Sequence, residues 1–217
     1  DPEYLPLAQM RPWTLPLFIL AALVAPVLLL VRFAVLTPLG LVIAPLRRRI
    51  VERYSGLEIN MAYRRRPPQG ALARMWRWQE AAACVWAIGL LVVSVLHGWR
   101  PLLIGMAVFA GVAVINQLRT LVAHLWENDG ETMSVTAQYL DSVNVPPPAL
   151  LAPLWAPVGL RYHALHHLLP SMPYHALGTA HRRLAAQMGA NATYGQANHD
   201  GMIPLIARIA RRSMAGR

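Results

Sequence analysis

Apolar residues are unevenly spread along this chain. They form two paired stretches on either side of an arginine-rich one. Residues 13–31 carry no charge and approach the ~20 residues a helix needs to cross hydrocarbon. Beyond Arg32 a second run, 33–46, is shorter and suits a re-entrant or interfacial segment better than a full span. Pro16, Pro26, Pro38 and Pro45 punctuate this region, with Arg11 before it and Arg47, Arg48 and Arg49 after it. With both ends cytoplasmic, 13–46 dips into the membrane as a re-entrant or hairpin segment, and Arg32 snorkels or lines a polar seam. The second pair, 81–96 and 102–115, is joined by His97, Gly98, Trp99, Arg100 and Pro101. Extended by Trp78 and Leu118, it predicts a transmembrane hairpin over 79–118 with Trp99 in the headgroup belt. Arg119 then re-emerges on the side it left. The predicted fold is all-α: integral membrane helical hairpins with a cytosolic, histidine-rich helical cap at 119–217, in one domain.

Composition agrees with the pattern. Of 217 residues 56% are hydrophobic and 14% charged, against about 25% charged in soluble domains. The mean hydropathy is +0.37. A soluble globule lacks the polar surface at that ratio. The net charge is +10, and all 20 basic residues are arginine. Arg47, Arg48, Arg49, Arg53, Arg64, Arg65, Arg66, Arg74 and Arg77 crowd into 47–78, a basic cytoplasmic linker by the positive-inside rule. Anionic membrane lipids are then its polyanion and nucleic acid is not a partner. Cys84 is the single cysteine, so neither an internal disulfide nor a cysteine-rich zinc site is available. The chain begins at Asp1 rather than Met, as a chain starting in mid-protein does.

The candidate chemistry lies in the last hundred residues, which hold seven of the eight histidines. In Arg161-Tyr162-His163-Ala164-Leu165-His166-His167-Leu168-Leu169-Pro170, helical spacing turns His163, His166 and His167 toward one side. Neutral imidazole suits iron, zinc, copper and nickel. Three rings among leucines, each needing two hydrogen-bond partners if buried, point to a metal rather than to packing. His124 is a further candidate ligand. Metal-bound histidines donate their second N–H to a carboxylate or carbonyl, so Asp141 and Glu131 are candidate outer partners, with Thr120 one turn before His124. Asn128-Asp129-Gly130 reads as a turn. His175 and His181 lie beyond Pro170 and Pro173 and are possible additional ligands. Pro146, Pro147 and Pro148 read as a stiff connector and 190–201 as a loop. Asn191-Ala192-Thr193 matches a glycosylation sequon without consequence on a cytoplasmic face. Residues 202–212 form a basic amphipathic helix, either on the membrane surface or packed as a terminal helix.

The box His163-x-x-His166-His167, its continuation Leu168-Leu169-Pro170-Ser171-Met172-Pro173-Tyr174-His175, the stretch 119–127 with His124 and the preceding hairpin together resemble the membrane fatty acid desaturase family. The resemblance is specific over roughly 80–185. It implies a helical membrane bundle under a cytosolic cap and a non-haem di-iron centre held by histidine boxes. It assigns His163, His166 and His167 to the third box and His124 to the extra ligand. The family's first two boxes precede the hairpin, whereas no histidine here precedes His97. The chain therefore reads as the C-terminal portion of a desaturase-like protein that carries part of the ligand set.

The implied activity is an oxygen-dependent membrane oxidoreductase acting on lipid acyl chains, in the first instance a fatty acid desaturase. Its cofactors are iron and O2, and its electron donor resembles a ferredoxin or a cytochrome b5-like protein. Carotenoid or lipid hydroxylases and ketolases share the same metal chemistry. A non-catalytic membrane module retaining half a metal site is the alternative outside enzymes. No HExxH motif supports a zinc hydrolase.

Overall fold

The computed structural model describes residues 13–54, 62–127, 131–189 and 192–215. Arg11, Asp129 with its turn and Asn191 of the sequon lie outside the described residues. The architecture is helical throughout. The described residues divide into two compact units, the first 17–114 and the second from 115 onward.

In the first unit α1 (Thr14–Val31), a π-helical turn (Arg32–Leu36) and α2 (Thr37–Val42) follow without a break, and α3 (Ala44–Arg53) begins after the extended Ile43. Helix thus runs through Arg32, where the sequence pattern divided the apolar stretch. The 29 residues Thr14–Val42 are long and apolar enough to cross a membrane. The reason is tertiary. Arg32 is buried and paired to Glu80, 48 residues away, with Nη2 2.5 Å from Oε1. Its Nε donates to Tyr54 O at 2.8 Å, and it also donates to the hydroxyl of Thr37. Arg47 Nη1 lies 2.5 Å from the other oxygen of Glu80. A charge matched in this way is tolerated inside an apolar helix, and the π-turn is where the side chain leaves the helical ladder.

α4 (Gly70–His97) and α5 (Arg100–Val122) are two long helices on the arms expected at 79–118, each longer than the uncharged run within it and each long enough to span. Gly98, between them at φ +99°, takes a backbone conformation that a side chain would strain. Val85, Leu96 and Val108 are all exposed, so apolar side chains face outward on both arms.

The second unit is organised around a buried segment, residues 141–145. Val143 N–H donates to Ala123 O (3.0 Å) and Leu125 N–H to Asp141 O (2.7 Å). Val145 N–H donates to Arg161 O (2.8 Å) and Ala164 N–H to Val143 O (3.2 Å). Asn144 pairs with the C-terminal region through Ala197 O (2.7 Å) and His199 N–H (2.8 Å). Its side-chain carbonyl accepts from Leu165 N–H at 3.1 Å. Around this hub lie α6 (Val135–Asp141), α7 (Ala152–Trp155), α8 (His163–Leu168), α9 (Tyr174–Met188), a 3-10 turn (Thr193–Ala197) and α10 (Met202–Ala215). One core joins Tyr139, Tyr162, Ala164, Leu165, Leu177, Tyr194 and Ala197. The other joins Val122, Leu125, Val143, Val145, Ala152 and Leu205. Leu205 and Ile209 are buried, so α10 is a packed terminal helix.

Candidate metal centre

The hub sets the site by pairing the segment after α5 with the segment before α8. Val122 and Leu125 sink into one core, and Ala164 and Leu165 into the other. His124, between the first two anchors, and His163, just before the second two, face each other. His163 Nε2 lies 3.1 Å from His124 Nε2 and 3.1 Å from His167 Nε2. One ring nitrogen of each of the three lies within 4.8 Å of the others, and all three residues are partly buried.

The hydrogen bonds define the ring states. Ser142 Oγ donates its proton to Gln138 O at 2.7 Å. Its contact with His124 Nδ1, at 3.3 Å, is therefore one in which Oγ accepts, and Nδ1 carries the hydrogen. Asp141 Oδ2, 3.7 Å from the same Nδ1, reinforces that choice. With its hydrogen at Nδ1, His124 turns Nε2 toward the other two rings. Burial, followed by the neighbouring His124 and His167, pushes His163 down to about 3. Burial and His124 lower His167 as well. Unprotonated imidazole is the ligating form. Three converging ring nitrogens fit a transition-metal cation, and a shared cation accounts for their approach better than hydrogen bonding among themselves.

His166 stands apart. Its Nε2 faces the Tyr174 hydroxyl at 3.3 Å, and its Nδ1 is buried without a hydrogen-bond partner. Asp141 is the carboxylate placed beside the cluster, its Oδ1 accepting from Glu127 N–H at 2.7 Å. Glu131 is exposed, and the Thr120 hydroxyl donates back along α5 to Asn116 O at 3.0 Å. His175 is exposed on α9. His181 is buried in the core, with Nδ1 2.8 Å from the Tyr194 hydroxyl and its ring against Tyr162. Glu127 turns away and pairs with Arg208 (2.7 Å) and Arg212 (3.3 Å) of α10.

Two contributors carry little sequence signal. Ser142 looks like a helix cap but fixes a histidine tautomer. Trp126 holds a left-handed backbone (φ 59°), a strained conformation for a bulky residue. Its ring centroid lies 5.4 Å from that of His124, and its indole N–H donates to Leu121 O at 2.8 Å.

No solved structure matches the chain significantly. The chain is 44% identical over 218 residues to a ceramide hydroxylase of Caulobacter vibrioides (strain NA1000 / CB15N), an alignment covering 98% of this chain and 61% of that protein. The chain thus spans about three fifths of the length of the curated relative it matches. The profile of the fatty acid desaturase family matches residues 1–198, a stretch that takes in all three span-length helices and every histidine of the cluster, and the chain accordingly belongs to that family.

Proposed function

We propose that this chain carries part of the metal site of an oxygen-dependent, iron-using membrane oxidoreductase that hydroxylates a lipid acyl chain, the lipid being of the ceramide type. The observation that carries the proposal is the convergence of the Nε2 atoms of His124, His163 and His167. These three would hold an iron ion. His166, with a free buried nitrogen, is the further ligand of the set, and a two-iron centre draws on ligands beyond these four. Iron, when bound, supplies the activation of oxygen that oxidation of an unactivated C–H bond requires.

The chain's own residues do the positioning. Ser142 and Asp141 hold the Nδ1–H of His124 and so aim its Nε2 inward. Burial keeps His163 deprotonated across the physiological range. The long apolar helices keep the protein in the phase where acyl tails dissolve, and the cluster lies on the cytoplasmic face. Arg64, Arg65, Arg66 and Arg74 offer positive charge to a polar headgroup or to an acidic donor such as a ferredoxin or a cytochrome b5-like protein.

The sequence alone favoured desaturation. The 44% identity to a ceramide hydroxylase supports hydroxylation instead, and desaturation is the second reading. Metal analysis of the purified protein, with mass spectrometry of lipids after turnover with a reductant and O2, tests both. Iron with a product that has gained one oxygen atom is the expected result. A product that has lost two hydrogens establishes desaturation. Zinc alone, or no metal, overturns the oxidase proposal in favour of a non-catalytic module.

A further inference from the structure

Residues 146–160, Pro-Pro-Pro-Ala-Leu-Leu-Ala-Pro-Leu-Trp-Ala-Pro-Val-Gly-Leu, contain no charged side chain and no hydroxyl, amide or acid. In a water-facing loop such a composition is costly, because loops are normally polar. This segment does not hide its apolar groups. Leu150 is 87% exposed, Leu151 64%, Leu154 79% and Val158 68%. Ala152 and Ala156, one turn apart on the inner side of α7, are buried. The large side chains therefore point out and the small ones in, the reverse of a soluble loop.

The loop is held firmly. Its two ends meet where Val145 N–H donates to Arg161 O at 2.8 Å. The Arg161 side chain donates to Val145 O and, at 3.2 Å, to Ala149 O, which uses the nearest positive charge on the loop's own base. At Gly159 (φ +88°) a Cβ would lie 1.9 Å from Tyr174 O, so the backbone packs directly on the start of α9. Five prolines stiffen the remainder, and a stiff loop presents its apolar groups at little entropic cost.

What covers these leucines follows from where the loop is anchored. Ala152 shares a buried core with Val122 and Leu125. Val122 is the last residue of α5, a helix long and apolar enough to span the membrane, and Arg119 marks the end of its apolar run. The loop is therefore fixed beside the point where the third long helix leaves the bilayer, at the depth of the headgroups. We propose that residues 149–158 insert into the adjoining leaflet as a monotopic anchor. Leu150, Leu151, Leu154 and Val158 lie among the upper acyl carbons, about 5–10 Å into the headgroup–acyl boundary. Trp155 sits at the interface, where its ring is amphipathic. The function is to hold the histidine-bearing unit against the lipid surface independently of its covalent tether. This inference does not depend on which reaction the metal centre performs.

The test uses the whole chain reconstituted in phosphatidylcholine–phosphatidylglycerol vesicles. The only native thiol, Cys84, is first replaced (Cys84→Ala). Single cysteines are then introduced as Leu150→Cys and Leu154→Cys, with Gln187→Cys on exposed α9 as the aqueous control, and each is spin-labelled. The collision rates with O2, which partitions into lipid, and with a water-soluble nickel chelate are compared by power saturation. Because both leucines are exposed, the labels leave the core untouched. The expected result is an O2-to-nickel ratio several-fold higher at Leu150→Cys and Leu154→Cys than at Gln187→Cys. Equal ratios at all three positions mean that the loop faces water and overturn the proposal. Low access to both reagents at 150 and 154 also overturns it, because a protein surface, from a second copy or another segment, then covers the loop.

Discussion

The two units invert each other's rules. In the first, apolar side chains point outward along α4 and α5, while buried Arg32 is matched by the half-buried Glu80, which also pairs with Arg47. In the second, leucines, valines and tyrosines pack into buried cores, with the hub's hydrogen bonds and the histidine cluster set among them. The difference is one of solvent. Lipid outside removes the drive to bury leucine, so a membrane unit is held together by charge pairing and close contact. Water outside restores that drive, and the second unit packs conventionally except in one apolar loop. The same arithmetic of exposure thus carries opposite meanings about a hundred residues apart.

Substitutions break the comparison at different strengths. The largest effect is expected at the cluster. His163→Ala should abolish bound iron and turnover in the protein that holds the complete site, while the circular dichroism stays helical, and full iron retention would remove His163 from the ligand set. Next comes the charge knot. Glu80→Ala strands two arginines, one of them buried, and should lower stability by about 3–5 kcal/mol, read as an earlier unfolding transition in detergent. An unchanged transition would mean that the arginines reach water and that the first unit is not held by charge.

Asp141→Asn is the milder probe of the second unit. Asparagine keeps an acceptor for Glu127 N–H but loses the negative charge beside His124 Nδ1–H. Metal affinity should fall about 10–100-fold, measured by chelator competition, with little change in thermal stability. The smallest effect belongs to His181. Burial first, then the positive charges of Arg161 and Arg182, hold it below its ordinary 6.5. The unfolded chain therefore takes up a proton near 6.5 that the folded chain refuses, and stability is lost as pH falls from about 6.5 toward the lowered folded value. His181→Gln, retaining a partner for Tyr194, should flatten that loss when thermal midpoints are compared at about pH 8 and about pH 5.

The elements that local pattern controls were legible in the sequence. The two long helices over 79–118 followed from two uncharged runs separated by a glycine. The 163–167 box followed from spacing, though only in part. At 3.6 residues per turn, His166 and His167 are about 100° apart around the helix, so one short helix does not aim both at a single point, and His166 turns to Tyr174. Arg32 looked like a break because its partner is 48 residues away. No periodicity reports such a pair. Ser142 and Trp126 were hidden for the same reason, since their contacts with His124 depend on the hub and not on neighbouring residues. Loop 146–160 read as a stiff connector, because prolines announce rigidity and are silent about which way leucines face.

The hub at 141–145 imposes an order of assembly. Asn144 pairs with Ala197 and His199, residues synthesised more than fifty positions later. Until they leave the ribosome, one edge of the buried segment has no partner, and the rings it aligns lack a fixed frame. The site therefore matures after the long helices and the segment through His199 have been made. A ribosome stalled before residue 197 would release a membrane-inserted chain in which every histidine of the cluster is present and none is yet aimed.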